Sequence, residues 1–191
     1  MNIFLDHALI EARTPHTWHS TPVDLALVRK AIEIAQLGPT SANCQPLRIV
    51  LIASSKAKEK LIPLLALGNV ASIKAAPIIA IFAYDLSFYE KLPLLYPRAD
   101  AKAWFEGNDA LIEETALRNS SLQAAYLMLT LRSLGMDCGP MSGFNAQGVD
   151  QAFFDGTHWR SNFLCAIGHG NLSDLEPRDK RLSFDEICQV L

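Results

Sequence analysis

Between Asp109 and Leu134, residues Ile112, Thr115, Ala116, Asn119, Leu122, Tyr126 and Leu129 recur at helical spacing, and Gly135 stops the pattern. Beyond position 121 the run is apolar on nearly every face. A helix of that character has to be enclosed, because any face left in water keeps apolar surface that burial would remove. A chain of 191 residues has few layers with which to enclose it. The rest of the fold must therefore be built around this helix, and a second subunit is expected to complete its cover. Ser120, Ser121, Ala124 and Ala125 are small enough to let a neighbouring helix come close.

The other predicted elements are shorter. Val23 to Leu37 places Leu27, Ala31, Ile34 and Ala35 on one helical face, with Asp24 near the start and Gly38 as the stop. Arg48 to Ala53 is short and rich in branched residues, which predicts a buried strand; a helix entered through Ser55 and limited by Pro63 follows. Pro77 to Tyr84 is continuously apolar, as a strand buried on both faces would be. A short helix over Gln147 to Phe154, a strand over Phe163 to Ile167 and a terminal helix from Ser183, with Asp185 and Glu186 in its first turn, complete the pattern. Between Phe88 and Asn108, the breaks at Pro93, Pro97 and Gly107 and an exposed-looking Trp104-Phe105 pair describe a long excursion of the kind used for lids or binding loops. One domain over residues 1–191 is expected.

Half the residues are apolar and the net charge is only −3, with no basic stripe to engage nucleic acid. No apolar run reaches the ~18 residues of a membrane span. Met1 to Arg13 carries Asp6 and Glu11 and lacks a basic start followed by an apolar core, so a cytoplasmic protein is expected. Cys44, Cys138, Cys165 and Cys188 are widely separated, which points to free thiols rather than a zinc site. His16 and His19 could chelate a metal on a helix, but Pro15 and Pro22 bracket them and they read as surface histidines; no metal is expected. Gly168-His169-Gly170 lacks the third glycine of a dinucleotide fingerprint, and in Gly139-Pro140-Met141-Ser142-Gly143 the serine is fourth, not third as in a nucleophile elbow.

The stretch Gly38-Pro39-Thr40-Ser41-Ala42-Asn43-Cys44-Gln45-Pro46 reads as a fixed polar loop. Its hydroxyls and amides can meet the polar edge of a planar ligand without ionising, although an ordinary polar turn has the same composition. The loop resembles the Pro-Ser-x-x-Asn-x-Gln-Pro signature of the flavin-dependent nitroreductase family. In order along the chain, Ala12-Arg13-Thr14, Gly68-Asn69, Ala76-Pro77, Phe88 to Pro93, Arg118 to Ser121, Gln123 to Tyr126 and Gly139 to Phe144 resemble one branch of it, the malonic semialdehyde reductase group.

The resemblance implies an α+β fold with a central, mostly antiparallel sheet flanked by helices, assembled as an intertwined homodimer with two FMN sites at the interface. It implies FMN as cofactor, NADH or NADPH as reductant, and ping-pong hydride transfer with malonic semialdehyde, reduced to 3-hydroxypropionate, as the favoured acceptor. Nitroaromatics or quinones are alternative acceptors, and a flavin-binding protein without turnover is the alternative of a different class. Arg13 with Thr14, and Arg178 with Arg181, would clamp the phosphate and ring oxygens. Pro39, Thr40, Ser41 and Asn43 would reach the flavin held mainly by the other subunit. Asn69 would contact the pyrimidine edge, and the backbone of Met141-Ser142-Gly143 would face the reactive N5, where Gly143 permits close approach. No side chain is expected to carry the hydride.

Trp104 and Phe105 are large aromatics that either pack structurally or close over the flavin, and Arg98 and Lys102 could attract an acceptor carboxylate. Two positions depart from the wider family: Pro15-His16 stands where many members have a second basic residue, and Ser142 stands where many have Glu. The first weakens the expected phosphate clamp, since a histidine is only a conditional cation at neutral pH.

Overall fold

The computed structural model describes residues 3–173 and 175–191, and begins with helix α1 (Ile3–Leu5) running into a wider π turn at Asp6–Ile10. Asp24 caps α2 (Leu25–Ala35), its carboxylate accepting from Ala26 N at 2.8 Å. Strand β1 (Leu47–Ile52) leads to α3 (Ser55–Leu61), whose cap is Ser54, one residue before the expected Ser55. Next come α4 (Leu67–Ala75) and β2 (Ile78–Asp85), then the excursion with its short α5 (Leu92–Leu95). The long helix α6 (Asp109–Ser133) starts at the Asn108 side chain, which accepts from Leu111 N. Strand β3 (Asp137–Met141), α7 (Ala146–Phe153), β4 (Trp159–Gly168) and α8 (Phe184–Ile187) complete the chain, α8 closed by a Ser183/Glu186 capping box.

The four strands form one sheet in the order β1-β2-β4-β3, with every pairing antiparallel. β2 has no water-facing side. Ile78, Ala80 and Phe82 enter a layer made by Val28 and Ala31 of α2 and Ala124, Leu127 and Leu131 of α6. Ile79, Ile81 and Ala83 enter the opposite layer, with Leu61 of α3, Ile73 of α4 and Val149 of α7. Fully burying one such Ile or Phe contributes roughly 1.5–3 kcal/mol, so this strand anchors both layers. β1, expected to be buried, is instead a sheet edge with only Ile52 fully covered. Leu47, Ile49 and Leu51 pack on one helix layer and Val50 and Ile52 on the other, most of them only partly covered at this edge.

The sequence pattern also missed β3 and α4. β3 contains Gly139 and Pro140, which argue against a strand, but it lies at the other edge of the sheet, where a residue without N–H is tolerated. β4 is longer than the predicted Phe163 to Ile167, and its register slips between Phe82↔Phe163 and Ala83↔Ser161. The extra residue, Asn162, donates to Ser120 Oγ at 3.2 Å and Ser121 Oγ at 2.9 Å, tying the bulge to α6.

A third cluster lies beneath the excursion, where Phe88, Leu92, Ala101 and Phe105 pack on Ile112 and Ala116 of α6. This corrects the expected exposed pair: Phe105 is buried, 4.9 Å edge-on from Phe88, while Trp104 is half exposed beside Tyr96. Along α6 itself the chain leaves Leu117 and Leu122 exposed, and Leu37, Phe184, Ile187 and Val190 are exposed elsewhere. No described helix is long and apolar enough to cross a membrane.

Candidate functional site: a cleft between the chain ends and the sheet

The segment after the π turn is extended and stitched to the end of β4. Trp18 bridges Gly170, His19 N donates to His169 O at 2.8 Å, and Asn171 N donates to Thr17 O at 3.0 Å. The Trp18 indole donates to Ser72 Oγ of α4 at 3.0 Å. This strap separates two cavities, and Thr14 and His16 line both.

The first cavity, about 600 Å³, gathers Arg13, Arg132, Arg178 and Arg181 against the carboxylates of Glu176 and Asp179. Among the described residues none of these four arginines is in an ion pair. They are held by main-chain carbonyls. Arg178 donates to Ile10 O and Ala12 O at 2.8 Å each, Arg13 to Glu176 O, and Arg181 to Asp179 O at 2.8 Å. Carbonyls orient a guanidinium without neutralising it, so two positive charges remain uncompensated at this end. An excess of guanidinium donors of this kind can attract an anion.

The second cavity, about 340 Å³, is floored by Gly68, Asn69 and Ser72 of α4 and by Gly139, Pro140 and Met141 of β3. Asn69 Nδ2 donates to Gly143 O at 2.9 Å, and the same carbonyl accepts from Ala66 N at 2.9 Å. Gly143 was expected to make room for a ligand; the space beside its Cα is occupied by Asn69, whose Nδ2 would lie 2.8 Å from a Cβ. Its N–H, however, has no hydrogen-bond partner among the described residues. Of the predicted residues, Arg13, Thr14, Arg178 and Arg181 thus meet in one cavity, and Thr14, Asn69 and Met141 in the other. Ser142 and Gly143 follow directly at the end of β3.

The nitroreductase family model matches residues 11–169, a span that contains both the strap and the sheet. The chain belongs to the nitroreductase family. A Burkholderia lata protein with the provisional name NADH dehydrogenase/NAD(P)H nitroreductase is 52% identical over 186 residues, covering 97% of this chain and 95% of that protein. A Bacillus subtilis structure, provisionally described as a nitroreductase, shares the fold with a TM-score of 0.90 at 20% identity, covering 98% of each chain. An Exiguobacterium sibiricum structure with a similar description, solved in complex with FMN, has a TM-score of 0.86 at 20% identity and covers 100% of this chain and 98% of that one.

In this nitroreductase the remaining predicted residues form a separate group. Pro39, Thr40, Ser41 and Asn43 line neither cavity. Their loop holds three non-glycine residues in the left-handed region, Ala42, Asn43 and Gln45, at φ 48, 52 and 40°. Asn119 Oδ1 accepts from Ser41 N at 2.8 Å and Gln123 Oε1 from Leu47 N at 3.0 Å, so two buried amides one turn apart on α6 grip the chain on both sides of the bend. Gly38 belongs to the same construction, since a Cβ there would run into the Tyr126 ring. Asn43 Nδ2 donates to Leu95 O at 2.9 Å, which joins the loop to the excursion.

Arg98 lies over the Tyr96 ring at 5.9 Å, and neither it, Trp104 nor Phe105 lines the cleft of this chain. Lys102 is engaged with Glu90 at 2.7 Å and Glu106 at 3.6 Å, which raises its pKa through the Glu90 hydrogen bond.

Three contributors were not read from the sequence as site residues. Asn119 stood in the recurring stripe of the long helix and Gln123 in a family-like run, but no local pattern shows that their amides would grip a loop some 78 residues away in sequence. Arg132 had a signal: it is the one charged residue between Arg118 and Asp137.

Proposed function

We propose that this nitroreductase is an FMN-dependent NAD(P)H oxidoreductase acting as a homodimer, with malonic semialdehyde, reduced to 3-hydroxypropionate, as its favoured acceptor. The observation that carries the reading is the cleft: carbonyl-held arginines without carboxylate partners among the described residues at one end, and a floor of Gly68, Asn69, Gly139 and Met141 beyond the shared Thr14 and His16. An elongated ligand with a phosphate at one end and a planar ring at the other fits that donor set. When bound, FMN would supply the hydride chemistry that links NAD(P)H oxidation to reduction of the acceptor.

The chain's residues bind and orient. Arg13, Arg178 and Arg181 would hold the phosphate, with Thr14 offering a hydroxyl beside them. Asn69, its Nδ2 anchored on Gly143 O, would present Oδ1 to a ring N–H. The Gly143 N–H, which lacks a partner among the described residues, is the donor assigned to the reactive edge of the ring. Met141 and Ser142 set its position at the end of β3.

The loop of Pro39, Thr40, Ser41 and Asn43 would serve the partner subunit's cleft together with Trp104 and Arg98, Phe105 supporting it from the core. Support for the dimer comes from the leucines left exposed on α6 and the apolar side chains left exposed along the C-terminal arm. We assign the whole of residues 1–191 to one cytoplasmic domain of this kind.

The test is an absorbance spectrum of the purified protein, followed by NADH and NADPH oxidation with malonic semialdehyde, a nitroaromatic and a quinone in parallel. Protein that neither carries nor takes up flavin would end the reading. Equal turnover of all three acceptors would replace the semialdehyde with a broad specificity, and flavin binding without turnover would leave a binding protein.

A further inference from the structure

The structure assigns Arg132 to the anion end of the cleft as a phosphate-positioning residue, an inference that rests on the FMN reading above. Arg132 sits in the last turn of α6 and lines the same cavity as Arg13, Arg178 and Arg181. It is the least satisfied of the four. Its Nη1 and Nη2 reach Ala8 O and Cys138 O only at 3.5 Å each, the outer limit of a hydrogen bond, whereas Arg178 makes two bonds at 2.8 Å. Its Nε is buried with no hydrogen-bond partner among the described residues. A buried N–H of a charged group left unmatched is costly, and it marks either a structural deficit or a place where a ligand completes the bonding.

The nearby acids do not complete it. Glu176 and Asp179 line the same cavity, and Glu11 and Asp137 line the one on its other side, yet none pairs with Arg132. The Asp137 carboxylate accepts from Gly170 N at 2.8 Å, and Glu11 is 3.8 Å from His7. A cation in the last turn of a helix also suits the helix dipole, which would explain Arg132 without any ligand. That explanation leaves the two 3.5 Å Nη contacts and the convergence with three other carbonyl-held guanidiniums unaccounted for. A phosphate in the cavity accounts for that convergence and gives the loosely held Nη groups a stronger partner, and Arg132 then supplies the further cation that Pro15-His16 does not reliably provide.

Riboflavin has the same ring and side chain as FMN but no phosphate, so the pair of ligands isolates this contact. Flavin-stripped wild type, Arg132→Ala and Arg132→Met are titrated with each by fluorescence quenching; the methionine variant keeps an apolar stem in place should the alanine variant fail to fold. A phosphate contact predicts a loss of roughly tenfold to 150-fold in FMN affinity with riboflavin affinity changed less than about twofold. Equal losses for both flavins, or no loss for either, would reduce Arg132 to a structural tie between the π turn, α6 and β3. Wild type that prefers FMN over riboflavin while the variants keep that preference overturns the role of Arg132 alone. Wild type that binds neither flavin overturns the FMN reading with it.

Discussion

Removing the Asn119 amide isolates what holds the polar loop in its bent form. Asn119 is 2% exposed; its Oδ1 accepts from Ser41 N at 2.8 Å and its Nδ2 donates to Thr115 O at 2.9 Å. Asn119→Leu keeps the branched heavy-atom skeleton and leaves the Ser41 N–H without an acceptor, a loss of about 1–3 kcal/mol. The same bend keeps Ala42, Asn43 and Gln45 left-handed, a conformation that disfavours L residues by roughly 1–2 kcal/mol each. With one of its two α6 grips gone, the bend should relax rather than persist. For a chain of this size each kcal/mol corresponds to about 2–4 °C in Tm, so a fall of roughly 2–12 °C is expected by circular dichroism. Hydrogen exchange should rise at residues 40–45 more than in α2 or β2. A fall in Tm with exchange at 40–45 unchanged would show that the amide stabilises α6 and not the loop, and an unchanged Tm would refute the argument outright.

Phe105→Ala should cost about 3–5 kcal/mol in urea unfolding because the ring is 6% exposed and packs on Phe88, while Trp104→Ala should cost only a fraction of that; equal costs would contradict the split between the two aromatics. Ala125→Glu places a charge on the partly covered face of α6 and should convert the proposed dimer to monomer or aggregate in sedimentation; an intact dimer would move the interface elsewhere. In native protein at pH 7.5 iodoacetamide should label exposed Cys188 first and Cys44 far more slowly, since burial pushes the Cys44 thiol up to about 11; comparable labelling in peptide mass spectra would show that the loop opens readily. The same shift gives a pH signature. The unfolded thiol ionises near 9.0 and the folded one near 11, so stability should be fully present below 9.0 and fall as pH rises toward 11, less steeply in Cys44→Ala.

The elements that could be read from residues were those whose local and tertiary preferences agree. Asp24 caps α2 with the side-chain chemistry a helix start needs, and Ser183 with Glu186 closes the start of α8 in the same way. β2 was legible because burial on both faces demands an unbroken apolar run. β3 was not, since Gly139 and Pro140 are permitted by its edge position, a fact of topology and not of composition. Arg13, Arg178 and Arg181 were legible by resemblance, but isolated arginines carry no pattern that would bring them together. Their convergence depends on carbonyls at Leu9, Ile10, Ala12 and Glu176 that no side chain announces. Phe105 was misplaced because the proline-broken segment around it suggested a loop, whereas three further apolar residues of that segment form a core of their own with it.

The stitching of the two chain ends sets an order of events during synthesis. The last strand ends at Gly168, so the sheet and its two helix layers can be in place once that residue has left the ribosome. Arg13 nevertheless finds its carbonyl at Glu176, 163 positions downstream, and Arg178 finds its carbonyls at Leu9, Ile10 and Ala12. A nascent chain would therefore acquire a folded centre before it possessed a closed anion cavity. Closure of the cavity thus waits on the last residues of the chain, and a protease that trims the exposed tail after release would strip Arg178 and Arg181 from it while leaving the sheet in place.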